Sequence, residues 1–205
     1  MLSAVLYYVA DPMCSWCWGF ASTLEQLESQ LAPNAQLQLV LAGLAPDSDA
    51  AMDERTKSYV QRAWREVAAA TGASFNSAFW QECSPRRSTW QACRAVLAAG
   101  DHGREMFAKI QRAYYLEARN PSDEATLIAL AGELGLDLDT FRRQLNSAAT
   151  IALLAEHLQL RDHLGAQGFP TLVLEQGGER QMLMRGFAHL DDFAPTLRER
   201  GMLTT

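Results

Sequence analysis

The fold is decided between residues 2 and 18, which read LSAVLYYVADPMCSWCW. The apolar run from Leu2 to Val9 is rich in β-forming residues and stops at Asp11-Pro12, which predicts a buried strand followed by a turn. From about Trp18 to Leu31 apolar residues recur at helical spacing, which predicts a helix. The C-x-x-C pair therefore lies where the first strand passes into the first helix.

The placement of this cysteine pair favours one kind of chemistry. A helix N-terminus presents free backbone N–H groups and the positive end of the helix dipole, so it stabilises a thiolate on Cys14. Cys17 follows three residues later on the same helix face, close enough to attack a mixed disulfide formed at Cys14. The spacing therefore predicts dithiol–disulfide exchange.

Two other interpretations of the pair are a zinc half-site and a pair of incidental core thiols. Structural zinc needs four ligands, usually from a second C-x-x-C or from two spaced histidines. The remaining candidates are Cys83, Cys93, His102, His157, His163 and His189, none of which has ligand spacing. We therefore expect no metal site and no cofactor, and a C-x-x-C beside a β-α-β pattern indicates a redox motif.

The rest of the chain supplies the other elements of an α/β fold. Residues 36–41 alternate polar and apolar side chains, which predicts a second strand. Between residues 46 and 165 only helical periodicity is found, which predicts five or six helices, one of them capped by Asp139. Two further strands are predicted at Thr171 to Glu175 and Arg180 to Met184, and a last helix from about Asp191 to Arg200. We expect a core of residues 1–46 and 166–205 with a helical domain, residues 47–165, inserted between the second and third core strands.

Composition excludes several classes of function. The 205 residues are 48% hydrophobic, and 18 basic against 24 acidic residues leave no positive excess for nucleic acid or an anionic membrane. No apolar stretch reaches the roughly 18 to 20 residues that cross a bilayer. The N-terminal apolar run lacks a preceding Lys or Arg, so we expect no secretory signal. With only four cysteines, we expect a cytoplasmic protein.

A second motif, Gly168-Phe169-Pro170-Thr171, stands directly before the third predicted strand. Thioredoxin-fold proteins carry a cis proline at this place. A trans proline that merely begins a strand is the alternative, but beside a C-x-x-C we favour a cis Phe169–Pro170 bond. The turn would then lie against the cysteines, where the Phe169 backbone could pair with an extended substrate.

With these two motifs, the sequence resembles the DsbA family of thioredoxin-fold proteins, and more closely its FrnE-like cytosolic branch. The similarity lies in residues 11–17, in residues 168–171 and in the position of the helical insertion, and it covers nearly the whole chain. The resemblance implies that Cys14 is the attacking thiol, Cys17 the resolving thiol and Pro170 the cis proline.

Two departures from the family pattern concern the expected substrate contacts. The dipeptide Ser15-Trp16 replaces the Pro-His of periplasmic oxidants and the Gly-Pro of thioredoxin, and Phe169 is bulkier than the usual Val or Thr. Because the dipeptide helps to set the reduction potential, oxidation and reduction both stay open. We expect Ser15, Trp16 and Phe169 to contact substrate. Trp18 and Phe20 could extend an apolar rim or belong to the core.

Several other residues receive structural interpretations. Cys93 shares helical spacing with Trp90, which predicts a buried thiol, while Cys83 is expected near a helix end. Neither is expected to take part in turnover, and spacing alone does not establish a disulfide between them. The pairs Arg86-Arg87 and Arg142-Arg143 are interpreted as solvated faces rather than anion sites.

The leading hypothesis is a thiol–disulfide oxidoreductase acting on a protein or a low-molecular-weight thiol. A glutathione-dependent isomerase or transferase of the kappa or 2-hydroxychromene-2-carboxylate type is a second possibility. Such enzymes use a lone Ser or Cys at the helix start, so the complete Cys14/Cys17 pair argues against it. A protein-binding adaptor on the same fold is the third, and the sequence leaves the oligomeric state open.

Overall fold

The computed structural model describes residues 4–204, and its centre is a four-stranded sheet. The strands are β1 (Ala4–Ala10), β2 (Ala35–Leu41), β3 (Thr171–Gln176) and β4 (Glu179–Arg185). They lie in the order β2-β1-β3-β4. β1 is parallel to β2 and antiparallel to β3, and β4 is antiparallel to β3. The predicted α/β class is thereby confirmed.

The position of each strand in the sheet follows from its residues. β1 is central and has buried residues on both faces, with Leu6 and Tyr8 on one and Val9 on the other. β4 lies at the edge and is mostly exposed, with Arg180 paired to Glu175 on the neighbouring strand. The four strand predictions are confirmed within the described residues, although the predicted start of the first strand at Leu2 lies outside them.

The first predicted helix is in fact two helices, α1 (Ser15–Gly19) and α2 (Ala21–Gln30). They meet at Phe20, whose ring is fully buried. The prediction of one helix starting near Trp18 was wrong because α1 is too short for periodic apolar residues to reveal it. Its start is marked instead by Cys14, the extended residue at its N-cap.

Seven α-helices lie between β2 and β3, so the prediction of five or six was too low. They are α3 (Glu54–Thr71), α4 (Phe79–Glu82), α5 (Trp90–Ala98), α6 (Gly103–Tyr115), α7 (Glu124–Glu133), α8 (Leu138–Leu145) and α9 (Ala148–His163). The short α4 has no periodicity to detect, and a 3₁₀ turn at Gly100–His102 separates α5 from α6. The last helix, α10 (Leu190–Glu199), confirms the final prediction.

The predicted cap of α8 is wrong by two residues. Asp137, not Asp139, is the N-cap, and its carboxylate accepts a hydrogen bond from the Thr140 backbone N–H at 2.9 Å. Asp139 lies in the first turn and pairs with Arg142. Both aspartates precede the apolar residues of the helix, so the local sequence alone does not distinguish them.

Side chains from both ends of the chain and from the inserted helices share a hydrophobic core. It contains Leu6 and Tyr8 of β1, Phe20, Met106 of α6 and Phe193 of α10. A smaller apolar cluster, which includes Val9, Val40, Val173 and Leu164, lies on the opposite face of the sheet. Helices therefore cover both faces of the sheet. The division into residues 1–46 with 166–205 and residues 47–165 stays a prediction.

Candidate active site

The site forms where β1 ends and β3 begins. Because these strands are antiparallel, Val9 near the end of β1 is paired with Thr171 at the start of β3. The residues that follow β1 and the residues that precede β3 therefore lie next to each other, at the same end of these two strands. This arrangement brings residues 11–17 next to residues 168–170, which are more than 150 positions away in the chain.

Cys14 is the N-cap residue of α1, and its thiol lies against the second motif. Its Sγ is 3.7 Å from the carbonyl oxygen of Phe169, and the side chain is 8% exposed. Its backbone N–H donates to the Asp11 carbonyl at 3.1 Å, which closes the turn before the helix. The Phe169–Pro170 peptide bond is cis. Cys14 is buried but is the more exposed cysteine of the pair.

Cys17 lies one turn further along α1 and is fully buried. Burial raises the pKa of its thiol well above the ordinary value, and hydrogen bonding with Cys14 raises it further. Both cysteines are free thiols in the structure. The pair therefore consists of one thiol that lines a cavity and one that is completely buried beneath it.

The carboxylate of Asp11 connects the turn to two other segments, the chain at Leu44 and the start of α5. It is fully buried, and Oδ1 accepts from the Met13 backbone N–H at 2.8 Å. Oδ2 accepts from the Leu44 N–H and from the Thr89 hydroxyl, both at 2.7 Å, and the Cys93 thiol lies 3.6 Å away. Burial raises the pKa of this carboxyl although the hydrogen bonds act in the opposite direction. Sequence reasoning treated Asp11 only as a turn residue and missed this role.

A cavity of about 240 Å³ opens at Cys14. The predicted contact residues Ser15, Trp16 and Phe169 all line it, whereas the buried Pro170 does not. Residues of α3 form another wall of the cavity, which no sequence pattern indicated. The other lining residues are Met13, Leu44, Tyr59, Val60, Ala63, Trp64, Arg87, Gln167 and Gly168.

The two remaining aromatic candidates belong to the packing rather than to this cavity. Phe20 is fully buried, and the half-buried Trp18 stacks on Tyr115 with 5.6 Å between ring centroids. The Trp18 indole N–H donates to the Ser74 carbonyl at 3.0 Å. Of the three aromatic residues considered for the rim, only Trp16 lines the cavity.

The second pair of cysteines is apart from the cavity. Cys93 is buried in α5, and burial raises its pKa. Cys83 is half-buried beside the Ala118 carbonyl at 3.0 Å, and its pKa is also raised by burial. Both are free thiols. Their separate partners, Asp11 and Ala118, indicate two unrelated structural environments.

The histidines and arginines have structural partners that the sequence did not reveal. Nδ1 of His157 accepts from the Leu41 backbone N–H at 3.0 Å, and burial lowers the pKa of this ring. Arg86 pairs with Asp123 at 2.7 Å, so its interpretation as part of a solvated face was wrong.

Within residues 4–204 we find no cluster of three His, Cys, Asp or Glu residues suited to a metal ion. No helix in that range is long and apolar enough to cross a membrane.

This fold and site define a DsbA-like thioredoxin domain. The model of that family matches residues 5–198, and the chain belongs to the family. The predicted resemblance to the DsbA family is confirmed, while its FrnE-like branch stays a prediction.

Two similar proteins of solved structure cover nearly the whole chain. Cytosolic disulfide reductase DsbM from Pseudomonas aeruginosa is 30% identical, with a TM-score of 0.78 and coverage of 96% of this chain and 98% of DsbM. DsbM has also been solved with GSH. A Nitrosomonas europaea protein, provisionally described as a protein disulfide isomerase, is 26% identical, with a TM-score of 0.85 and coverage of 97% and 98%.

The curated relatives are named as adapter proteins rather than as oxidoreductases. The ClpXP adapter protein SpxH of Bacillus subtilis is 24% identical over 172 residues, which cover 82% of this chain and 56% of SpxH. The chain thus spans little more than half the length of these curated relatives. Their similarity therefore concerns one part of a longer protein.

Proposed function

We propose that the protein is a thiol–disulfide oxidoreductase in which Cys14 attacks the substrate and Cys17 resolves the intermediate. The observation that carries the proposal is the unequal placement of the two thiols. Cys14 opens into a cavity beside the Phe169 carbonyl, and Cys17 is buried one helical turn below it. A substrate disulfide can reach the first sulfur but not the second.

The proposed reduction proceeds by two exchanges of sulfur partners. The Cys14 thiolate attacks one sulfur of the substrate disulfide, and the other sulfur leaves as a thiolate that takes up a proton. Cys17 then loses its proton and attacks the Cys14 sulfur, which releases the second substrate thiol. Two electrons have passed to the substrate, and the protein holds a Cys14–Cys17 disulfide. Two molecules of a low-molecular-weight thiol return it to the dithiol: the first forms a mixed disulfide with one cysteine, and the second attacks that thiol's sulfur and leaves with it as a disulfide.

Similarity to DsbM supports the reducing direction and a cytoplasmic location, since that protein is described as a cytosolic disulfide reductase. The cavity supports a contact role for Ser15, Trp16 and Phe169. Pro170, directly before β3, fixes the turn that presents the Phe169 carbonyl to Cys14. We propose protein disulfides or small disulfides as substrates, with neither nucleic acid nor membrane as a partner.

The proposal is tested by insulin reduction measured together with oxidation of reduced ribonuclease by the purified protein. The wild type should accelerate insulin reduction in the presence of glutathione, and Cys14→Ser should abolish this activity. Cys17→Ser should accumulate a mixed disulfide at Cys14, detected by mass spectrometry. Cys83→Ser is the matched control and should retain wild-type rates. Full activity of a folded Cys14→Ser variant would overturn the proposal.

A protein-binding adaptor is a second candidate because the curated relatives are named as adapters. An adaptor needs a surface rather than a reactive thiol. Complementation of a strain that lacks this protein separates the two functions: a Cys14→Ser variant restores the phenotype if the protein is an adaptor and fails if it is an oxidoreductase. The isomerase or transferase alternative is less favoured because it needs no buried partner such as Cys17.

A further inference from the structure

A second cavity lies beside the cavity at Cys14 and carries concentrated positive charge. It has a volume of about 580 Å³ and is lined by Arg55, Thr56, Ser58, Tyr59, Arg62 and Arg87. Two of these residues, Tyr59 and Arg87, also line the cavity at Cys14. The two cavities therefore share part of their walls.

The charge of this second cavity is unusual for the chain. Three arginines line it and no carboxylate does, on a protein with a net charge of −6. Within residues 4–204, Arg55 and Arg87 form no ion pair. Arg62 has only Glu66 at 4.0 Å, and both of these side chains are largely exposed. These guanidinium groups remain available to an anion.

The acidic residues closest in sequence are already engaged elsewhere. Asp53 caps α3 by accepting from the Thr56 N–H at 2.7 Å, and Glu54 pairs with Lys57 at 2.8 Å. Neither lines the second cavity. Within residues 4–204 neither carboxylate forms an ion pair with the arginines of the cavity, although Asp53 is near enough to Arg55 for the guanidinium to help lower the pKa of that carboxyl.

The segment that carries Arg87 is held in place against the chain before α3. The Met52 backbone N–H donates to the Pro85 carbonyl at 2.9 Å, and Ala51 forms a β-bridge with Arg86. The Arg86 side chain is bonded to Asp123 at 2.7 Å. This anchoring orders the backbone at Arg87 before any ligand arrives, which lowers the entropic cost of binding.

We propose that the second cavity binds the carboxylates of a low-molecular-weight disulfide or thiol while the sulfur of that molecule reacts at Cys14. This inference rests on the proposed function and adds the residues that would recognise the small-molecule substrate. The volumes of the two cavities suit a small molecule, and planar guanidinium groups match carboxylates. Arg87 is the central residue because it lines both cavities.

The test compares two disulfides that differ in charge. The reduced protein is mixed with glutathione disulfide, which carries carboxylates, or with bis(2-hydroxyethyl) disulfide, which is neutral, and oxidation is followed by acid quenching, alkylation and mass spectrometry. Arg87→Gln and Arg55→Gln should each slow the glutathione disulfide reaction about three- to fivefold. Reaction with the neutral disulfide should change less than twofold. Added salt should slow only the glutathione disulfide reaction of the wild type.

Arg65→Gln is the matched control. Arg65 lies on α3, as Arg55 does, and also forms no ion pair within residues 4–204. It lines a third cavity, with Phe75 and Trp80, which includes neither Cys14 nor Arg87 and shares with the Cys14 cavity only the side chain of Trp64. The Arg65→Gln substitution removes the same charge. It should leave the ratio of the rates with glutathione disulfide and with bis(2-hydroxyethyl) disulfide unchanged. Equal slowing with both disulfides, or an equal effect of Arg65→Gln, would overturn the proposal.

A binding measurement separates this proposal from the proposed function. S-methylglutathione has the carboxylates but no free thiol, so calorimetric titration reports binding without exchange. The wild type should bind it more tightly than Arg87→Gln by a similar three- to fivefold. If the protein exchanges no disulfide yet binds S-methylglutathione in this arginine-dependent manner, only the proposed function fails. If disulfides exchange but neither arginine affects rate or affinity, only the carboxylate site fails.

Discussion

Replacement of Asp11 by Asn should destabilise the protein because one amide oxygen cannot replace two carboxylate oxygens. In the structure Oδ1 accepts from Met13 N–H, while Oδ2 accepts from Leu44 N–H and the Thr89 hydroxyl. An asparagine side chain offers one oxygen and one NH₂ group. In either orientation, its NH₂ group faces a backbone N–H.

The magnitude follows from the better of the two orientations. It keeps the oxygen on Leu44 and Thr89 and leaves the Met13 N–H unpaired in a fully buried environment. An unsatisfied buried donor costs about 1–3 kcal/mol, and removal of a buried charge offsets part of this loss. We expect the free energy of unfolding to fall by about 1–2 kcal/mol at pH 7. Urea denaturation of the reduced protein, followed by tryptophan fluorescence, measures it.

The pH dependence supplies an independent check. Burial raises the pKa of Asp11, so the folded protein retains a proton that the unfolded chain loses near pH 4. The stability gained from this proton is fully present below about pH 4 and is lost as pH rises through the folded pKa. The free energy of unfolding of the wild type should therefore exceed that of Asp11→Asn by a smaller amount as pH rises from about 4 through the folded pKa of Asp11. Above that pKa, the difference between the two free energies should stay constant.

The control is Asp53→Asn, the same chemical change at an exposed helix cap. Asn caps helices about as well as Asp, so its unfolding midpoint should match that of the wild type. If Asp11→Asn is as stable as the wild type, or if Asp53→Asn loses as much stability, the hydrogen bonds of Asp11 do not hold the turn in the way described.

Three further predictions concern the thiols and the helix that carries them. Iodoacetamide should modify Cys14 well before Cys17 at pH 8, because Cys17 is fully buried with a raised pKa, and peptide mapping of the alkylated protein measures the order. The double variant Cys83→Ser/Cys93→Ser should keep near-normal insulin reduction. It should unfold at a lower urea concentration, because a hydroxyl replaces the fully buried Cys93 thiol. Loss of activity in the folded variant would show that the second pair of cysteines takes part in turnover. Gly19→Ala should lower the free energy of unfolding, measured by urea denaturation, by about 1–3 kcal/mol. The added Cβ would lie 2.7 Å from a methyl group on α3. A variant as stable as the wild type would contradict the close packing of α1 on α3.

The sequence by itself determined the elements whose signals are local. Hydrophobic periodicity located the strands and the long helices, and the C-x-x-C between a strand and a helix indicated dithiol chemistry. The same local signals do not identify an element that is too short to show periodicity. They also do not decide between two neighbouring residues that are equally suited to cap a helix. Thus periodicity does not reveal the short α4 or the break at Phe20, and the local sequence does not distinguish Asp137 from Asp139 as the cap of α8.

Only the tertiary structure decided which distant residues meet at the site. The approach of Phe169 to Cys14 follows from the antiparallel pairing of β1 and β3, which no local pattern encodes. The hydrogen bonds of Asp11 join segments up to 82 residues apart. Arg87 reaches both cavities only because its segment packs against the chain before α3. Such contacts depend on how whole elements pack. A residue's neighbours in sequence report its backbone conformation and its likelihood of burial, but not the partner against which it is buried.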